Sequence, residues 1–236
     1  MSHIECHIEN NIAILELNRP AKANAYTPSM LKEMDTCWDR IEKQARIAII
    51  QSTGDGAFCG GADLVEMNNV QAEDALDLFS QRLFNRIATS KVISIAAIHG
   101  AAIAGGFELT LACDLRVASQ NAWFALPEVS KDLIPAAGGC TRLTALMGSS
   151  ISKGVILGNG KIMAPQALQW GLLHRIDNDP QGNAFDWAQD LITRDPLALR
   201  LAKQVLQAPS LEKERLAEAL LYEQKSHRNK HITKDI

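Results

Sequence analysis

Residues 92–118 read VISIAAIHGAAIAGGFELTLACDLRVA, and the organisation of the whole chain can be worked out from them. Val92–Ile98 is an apolar, β-branched run of strand length. Gly100–Gly106 is rich in glycine and alanine, where backbone and not side chain meets the surroundings. A short apolar helix follows, and Asp114–Ala118 returns to strand. The same alternation continues outward. Ile12–Leu17 reads as a strand ending at Asn18-Arg19-Pro20. Thr27-Pro28 is a helix N-cap with proline at the first helical position. Leu31, Met34, Trp38 and Ile41 then form one apolar stripe at helical spacing. Arg46–Ser52 is another strand, Thr53–Gly56 a turn, and a helical pattern covers about Ala75–Thr89. Trp123–Ala125 is a short strand, and the chain from Ala136 onward is mostly helical apart from a strand at Leu173–Ile176. Repeated strand–helix units imply an α/β fold with helices packed on sheet. No low-complexity stretch or linker interrupts it. The expected organisation is an α/β core over residues 1–195 and a helical C-terminal region over 196–236, the helical part starting between Gly171 and Pro196.

Composition bounds the function. The 236 residues are 47% hydrophobic and 22% charged, with a net charge of −3, which offers no general attraction to nucleic acid or anionic membrane. Met1–Asn10 carries Glu5, Glu9 and two histidines where a secretory leader needs an apolar run. No stretch approaches the roughly 20 apolar residues of a membrane span. Five cysteines, at 6, 37, 59, 113 and 140, form no C-x-x-C pair and fit reduced thiols in a cytoplasmic protein.

Two glutamates stand out. Glu108 lies in Ala-Ile-Ala-Gly-Gly-Phe-Glu-Leu-Thr-Leu-Ala, and Glu128 follows Trp-Phe-Ala-Leu-Pro. A carboxylate withdrawn from water tends to neutralise, and a second carboxylate nearby raises one of the pair further. Identical side chains can thereby serve as acid and base at neutral pH. The plainer reading makes each a cap or core ion pair, with Arg116 or Arg142 as partner. The glycines supply a second half of a site. Asp55–Leu64, with Gly60-Gly61, lets backbone approach a ligand, and Ala104-Gly105-Gly106 opens the helix carrying Glu108 with its first N–H groups unpaired. Two such donors converging on one carbonyl oxygen would make an oxyanion hole. Gly100, Gly105 and Gly106 do not give G-x-G-x-x-G, so a dinucleotide site is not expected.

Five segments occur in order: Leu17-Asn18-Arg19-Pro20 with Asn24-Ala25; Phe58–Leu64; His99-Gly100 with Gly105–Leu109 and Cys113-Asp114; Phe124–Glu128; and Ile134–Gly139 with Arg142-Leu143. Together they resemble the crotonase (enoyl-CoA hydratase/isomerase) superfamily, from about residue 12 to about 225. The resemblance implies a spiral of ββα turns with a helical C-terminal region, assembled as trimers or dimers of trimers. It implies an enzyme adding water across, or eliminating it to form, the 2,3 double bond of an enoyl-CoA thioester. Ala62 and Gly105 match the two oxyanion-hole residues. Glu108 matches the water-activating base and Glu128 the acid, their roles exchanging in dehydration. Lys22-Ala23 and Gly60–Leu64, including Asp63, match stretches that hold the pantetheine and adenine of coenzyme A. No metal and no cofactor apart from the coenzyme A of the substrate is implied.

Alternatives differ in what they need. A Δ3,Δ2-enoyl-CoA isomerase works mainly with an acid at Glu128, a specialised hydroxyacyl-CoA dehydratase is a narrower form of the main reading, and an acyl-CoA- or RNA-binding module needs neither acid. Asp114 and Arg142 are expected as structural anchors, His99 as hydrogen-bonded scaffold, and Trp38, Trp170 and Trp187 as packing, with Trp123 and Phe124 toward the acyl pocket. The basic residues Lys225, His227, Arg228, Lys230, His231 and Lys234 read as a solvated helix end. Leu197, Leu201, Val205 and Leu206 suggest an interface. Relatives usually continue beyond the motif matching Ile232–Ile236, so a site more open at its adenine end is expected.

Overall fold

The computed structural model describes residues 3–63, 65 and 78–232, the last six as backbone only. Leu64, residues 75–77 of the expected second helix and the end of the basic cluster lie outside what is described, as do the side chains of His227 to His231.

The β-branched runs form the larger of two sheets. β1 (Ile4–Glu9), β2 (Ile12–Leu17), β3 (Ile47–Ser52), β5 (Ile93–Ile98), β7 (Leu115–Ala118) and β10 (Arg175–Ile176) are ordered β1-β2-β3-β5-β7-β10. Within this sheet only the β1–β2 hairpin is antiparallel among the described residues. A smaller sheet has the order β4-β6-β8-β9, from β4 (Ala57–Cys59), β6 (Ala101–Ile103), β8 (Trp123–Ala125) and β9 (Lys161–Met163). Each circuit of the chain adds one strand to each sheet and then a helix. β3 and β4 are followed by α2 (Phe79–Thr89), β5 and β6 by α3 (Gly105–Ala112), β7 and β8 by α4 (Gly139–Ile156). That is the expected spiral of ββα units.

α1 (Pro28–Gln44) starts as its sequence demands: Thr27 accepts the Met30 N–H, Pro28 takes the first position, and Leu31, Met34, Trp38 and Ile41 are buried. The large sheet is covered on both faces, which explains why its central strands are almost wholly apolar. Leu15, Leu17, Ala48, Ile50, Ala96 and Ile98 face one core with α1 to α3. Ile12, Ile47, Ile49, Ile95 and Val117 face the other, closed by Ala184, Ala188 and Leu191 of α6 (Pro180–Ile192).

α5 (Ala164–Gln169), α6, α7 (Pro196–Gln207) and α8 (Leu211–Ile232) complete the chain. α7 is tied to the core: Lys203, 6% exposed, donates to the Val92 carbonyl and to Asp114, each at 2.7 Å. Of the four residues expected to form an interface, Leu201 is buried and Leu197 and Val205 are half-buried; only Leu206 is well exposed. After Pro196 the other large exposed apolar side chains are on α8, at Leu211, Leu216, Leu220 and Tyr222, because α7 spends most of its apolar face on the body of the protein.

Candidate functional site

Glu108 is on the first turn of α3, a helix whose eight residues are all buried. Such a helix can only arise where the chain is apolar all round, so a glutamate within it needs a partner. The partner is the backbone of the next circuit: Gly139, first residue of α4, donates its N–H to Glu108 Oε1 at 2.8 Å. Burial pushes the Glu108 carboxyl up to about 7. The amides of Gly139 and Ala137 and the Arg142 charge oppose the rise, and the Glu128 charge adds to it. Arg116 is no partner, since it donates to the carbonyls of Leu172, Thr110 and Cys113. Arg142 donates to the Ala137 carbonyl. Neither arginine forms an ion pair with a glutamate among the described residues, which removes the plain core-ion-pair reading.

Glu128 opens a 3₁₀ turn, Glu128–Lys131, after β8. It is 8% exposed, its Oε2 is buried without a hydrogen-bond partner among the described residues, and burial raises its carboxyl above the usual range. Burial thus raises both carboxyls, and the charge of Glu128 adds to the rise at Glu108; one is held by a helix N-terminus and the other has an oxygen to offer.

The glycine segments converge beside them. Gly61 has φ +91°, and a β-carbon there would lie 2.9 Å from Ala104 Cβ and 3.1 Å from Gly105 N. A β-carbon at Gly106 would strike the Cys59 carbonyl. Close backbone approach therefore requires both glycines. Ala62 forms a parallel bridge to Tyr26, whose N–H donates to Gly61 O (2.8 Å) and whose carbonyl accepts from Asp63 N (2.9 Å). In parallel pairing the bridged residue's own amide turns away from that partner strand. Gly105, as the first residue of α3, carries one of the N–H groups that a helix leaves unpaired. Ala62 and Gly105 are thus brought to the same place, although the sequence separates them widely.

The residues expected to hold coenzyme A cluster as well. Lys22 ends a 3₁₀ turn, Pro20–Lys22, and is exposed; Ala23 is left-handed (φ 53°), and its carbonyl accepts from Gly60 N at 2.9 Å. Asn24 knits this loop to its neighbour, donating to the carbonyls of Thr53 and Ala57. Asp63 pairs with Arg19 at 2.6 Å, which holds its carboxyl below the usual range. Its side chain is therefore committed to the loop.

Some expectations need correction. His99 is half-buried, and although its carbonyl accepts from Ser119, its two ring nitrogens are buried without a hydrogen-bond partner among the described residues, so the ring is packed and not hydrogen-bonded scaffold. Phe124 is fully buried against Phe107 (5.1 Å between centroids), while Trp123 lies under Lys161 at 4.4 Å. Trp187 packs against the second core as expected, and Arg175 stacks on it at 3.8 Å. Sequence reasoning gave no role to the Gly139 amide, to Tyr26, or to Cys140, whose thiol is raised by burial and by the charges of Glu108 and Glu128. The Gly138-Gly139 pair was the available signal for the first. Two surface clefts of about 400 and 470 Å³, around Lys43 and Lys91, hold neither glutamate.

Comparison with known proteins converges on one family. The model of the enoyl-CoA hydratase/isomerase family matches residues 7–236. The short-chain-enoyl-CoA hydratase of Clostridium acetobutylicum is 32% identical over 204 residues, 84% of this chain and 78% of that protein. The crystal structure of an enoyl-CoA hydratase from Bacillus anthracis superposes with a TM-score of 0.87 at 29% identity, covering 95% of this chain and 91% of that one. A Thermobifida fusca protein solved in complex with CoA gives 0.85 at 26% identity, with 96% and 95% covered.

Proposed function

The chain belongs to the enoyl-CoA hydratase/isomerase family, and from that premise we propose that it hydrates the 2,3 double bond of an enoyl-CoA thioester, or forms it by the reverse elimination. The observation that carries this reading is the pair of buried carboxyls at Glu108 and Glu128, both raised by burial, beside two backbone segments that offer N–H groups. A general base works best with a pKa near the operating pH, and Glu108 is pushed up to about 7.

In this mechanism ionised Glu108 takes a proton from water as the oxygen bonds to the β-carbon. The thioester carbonyl becomes an enolate, whose negative oxygen accepts from the amides of Ala62 and Gly105. Protonated Glu128 then delivers its proton to the α-carbon, and the carboxyls have exchanged protonation states. Lys22 supplies a cation for the phosphates, and the backbone at Ala23 and Gly60 lines the pantetheine path. Asp63 contributes by holding Arg19 and the loop. Leu64, outside the described residues, is assigned to the coenzyme A segment by the resemblance alone. Coenzyme A arrives as part of the substrate, and the enzyme needs no other cofactor. The Thermobifida fusca neighbour in complex with CoA supports this choice of ligand. In this reading the protein works in the cytoplasm as a closed homo-oligomer, with the C-terminal region 196–236 contributing to assembly through the exposed apolar side chains of α8.

Loss of thioenoyl absorbance on incubation with crotonyl-CoA tests the reading. The isomerase alternative has one observation in its favour, since Glu128 Oε2 is buried without a hydrogen-bond partner among the described residues. It would gain if Glu108→Gln hydrated normally while Glu128→Gln was dead.

A further inference from the structure

Tyr26 touches both of the backbone segments assigned to enolate stabilisation, and it does so in two different ways. Its backbone brackets Ala62, through the Gly61 carbonyl on one side and the Asp63 N–H on the other. Its side chain, 6% exposed, runs under the start of α3. A β-carbon built on Gly105 would overlap the Tyr26 hydroxyl oxygen and would stand 2.7 Å from Cζ and 2.9 Å from Cε1. The ring is itself fixed, edge-on to Phe84 of α2 at 6.0 Å and 89°, with its hydroxyl paired to Ser80 of the same helix. Nothing in a thioester-binding loop demands a phenol packed against a glycine backbone, and Gly105 cannot settle toward α2 while that ring is there. We infer that Tyr26 is a positioning residue: through its backbone and its ring it sets the separation of the Ala62 and Gly105 amides.

This inference rests on the hydratase reading and deepens it. Two donors stabilise a developing oxyanion only if both meet it at hydrogen-bond distance, and a misplacement of ~1 Å can cost ~10²-fold. The ring, more than the hydroxyl, holds Gly105, because two ring carbons stand against it as well as the oxygen. Tyr26→Phe should therefore keep kcat within about threefold of wild type, while Tyr26→Leu, which empties the space under Gly105, should lose about 30- to 100-fold. KM should stay within about threefold, since the coenzyme A contacts are elsewhere and the two donors act mainly on the enolate and little on the ground-state carbonyl. A purely structural loss would lower the amount of folded enzyme and leave its turnover unchanged.

A spectroscopic experiment separates this inference from the reading beneath it. The 4-dimethylaminocinnamoyl thioester of coenzyme A reddens when its carbonyl is polarised. Wild type and Tyr26→Phe should both shift it, and Tyr26→Leu should bind it with similar affinity but shift it much less. If wild type binds the probe with no shift, the oxyanion-hole reading fails and this inference goes with it. If wild type and Tyr26→Leu shift it equally, Tyr26 does not position the donors and only this inference is overturned. Should Tyr26→Leu not fold, Gly105→Ala supplies the same information. Its loss of kcat should be smaller in the Tyr26→Phe background, where the hydroxyl overlap is gone, and strictly additive losses would refute the coupling.

Discussion

At the scale of single residues, the consequential choice is a glutamate in a helix that otherwise has no polar side chain except Thr110. Glu108 is tolerated because the next circuit of the spiral delivers the Gly139 N–H to it. The strain is only partly relieved, and its trace is a carboxyl pushed up to about 7. A raised carboxyl pKa means that the unfolded chain loses the proton first as pH rises. Stability therefore falls between the ordinary glutamate value and about 7, and stays lower above it. Glu108→Gln keeps an acceptor for Gly139 and removes the charge, so it should be more stable than wild type at pH 8 and nearly equal to it at pH 4. The difference should be on the order of 3 kcal/mol, or several degrees in Tm, by calorimetry at both pH values. A difference that did not change with pH would refute the perturbed carboxyl. The same variant should be poor in catalysis. Glu108→Gln and Glu128→Gln should each lower kcat by about 10²–10⁴-fold, and the double variant should lose far less than the product because the two act as one unit. For wild type, kcat/KM for hydration should rise through a pKa near 7 as Glu108 ionises, a limb that Glu108→Gln should lack.

Elements show where sequence reading succeeds and where it stops. Strands β2, β3, β5 and β8 were legible because β-branched or aromatic runs are long enough, or bounded sharply enough, to declare themselves. β1 has Ile4, Cys6 and Ile8 alternating with Glu5, His7 and Glu9, the pattern of a half-solvated edge, which disappears when the segment is read only for a leader. β4, β6 and β9 have three residues each, and β6 is Ala-Ala-Ile. Strands so short have no period of their own, and the sheet they form exists only because the larger sheet repeats beside it. The candidate site was legible as a set of residues through the family resemblance. Its geometry was not, because the contact between Gly61 and Gly105 and the Gly139 bond to Glu108 arise from stacking of successive circuits. The loop element is tested at Ala62. Ala62→Pro removes the N–H and should lower kcat by about 10²–10³, whereas Ala62→Ser should change it little. Circular dichroism must show both variants folded, and equal damage from the two would point to packing instead of a donor.

For the whole molecule, the unresolved demand of this fold is α8. Ala217, Leu221 and Gln224 are half-buried, and the other described side chains up to residue 226 are exposed. Among them are Leu211 (77%), Leu216 (59%), Leu220 (48%) and Tyr222 (61%). Leu216 and Leu220 are four residues apart and share a face. A helix of 22 residues is about 33 Å long, so a neighbour lying along it could bury a stable contact area. Near the Glu128 turn, Val129, Leu133 and Ile134 are also exposed, which leaves apolar surface beside the site as well as on the helix. Apolar surface of this kind is most simply covered by further copies of the same chain in closed symmetry, and the family resemblance points to a trimer or a dimer of trimers. The prediction is that light scattering finds the mass of three or six 25.8 kDa chains. Placing charges on the shared face with Leu216→Glu and Leu220→Glu should shift the population toward smaller species while circular dichroism stays native. A wild-type monomer at micromolar concentration would sink the assembly, and an unchanged oligomer in the charged variant would move the interface off α8 and onto the Val129–Ile134 surface.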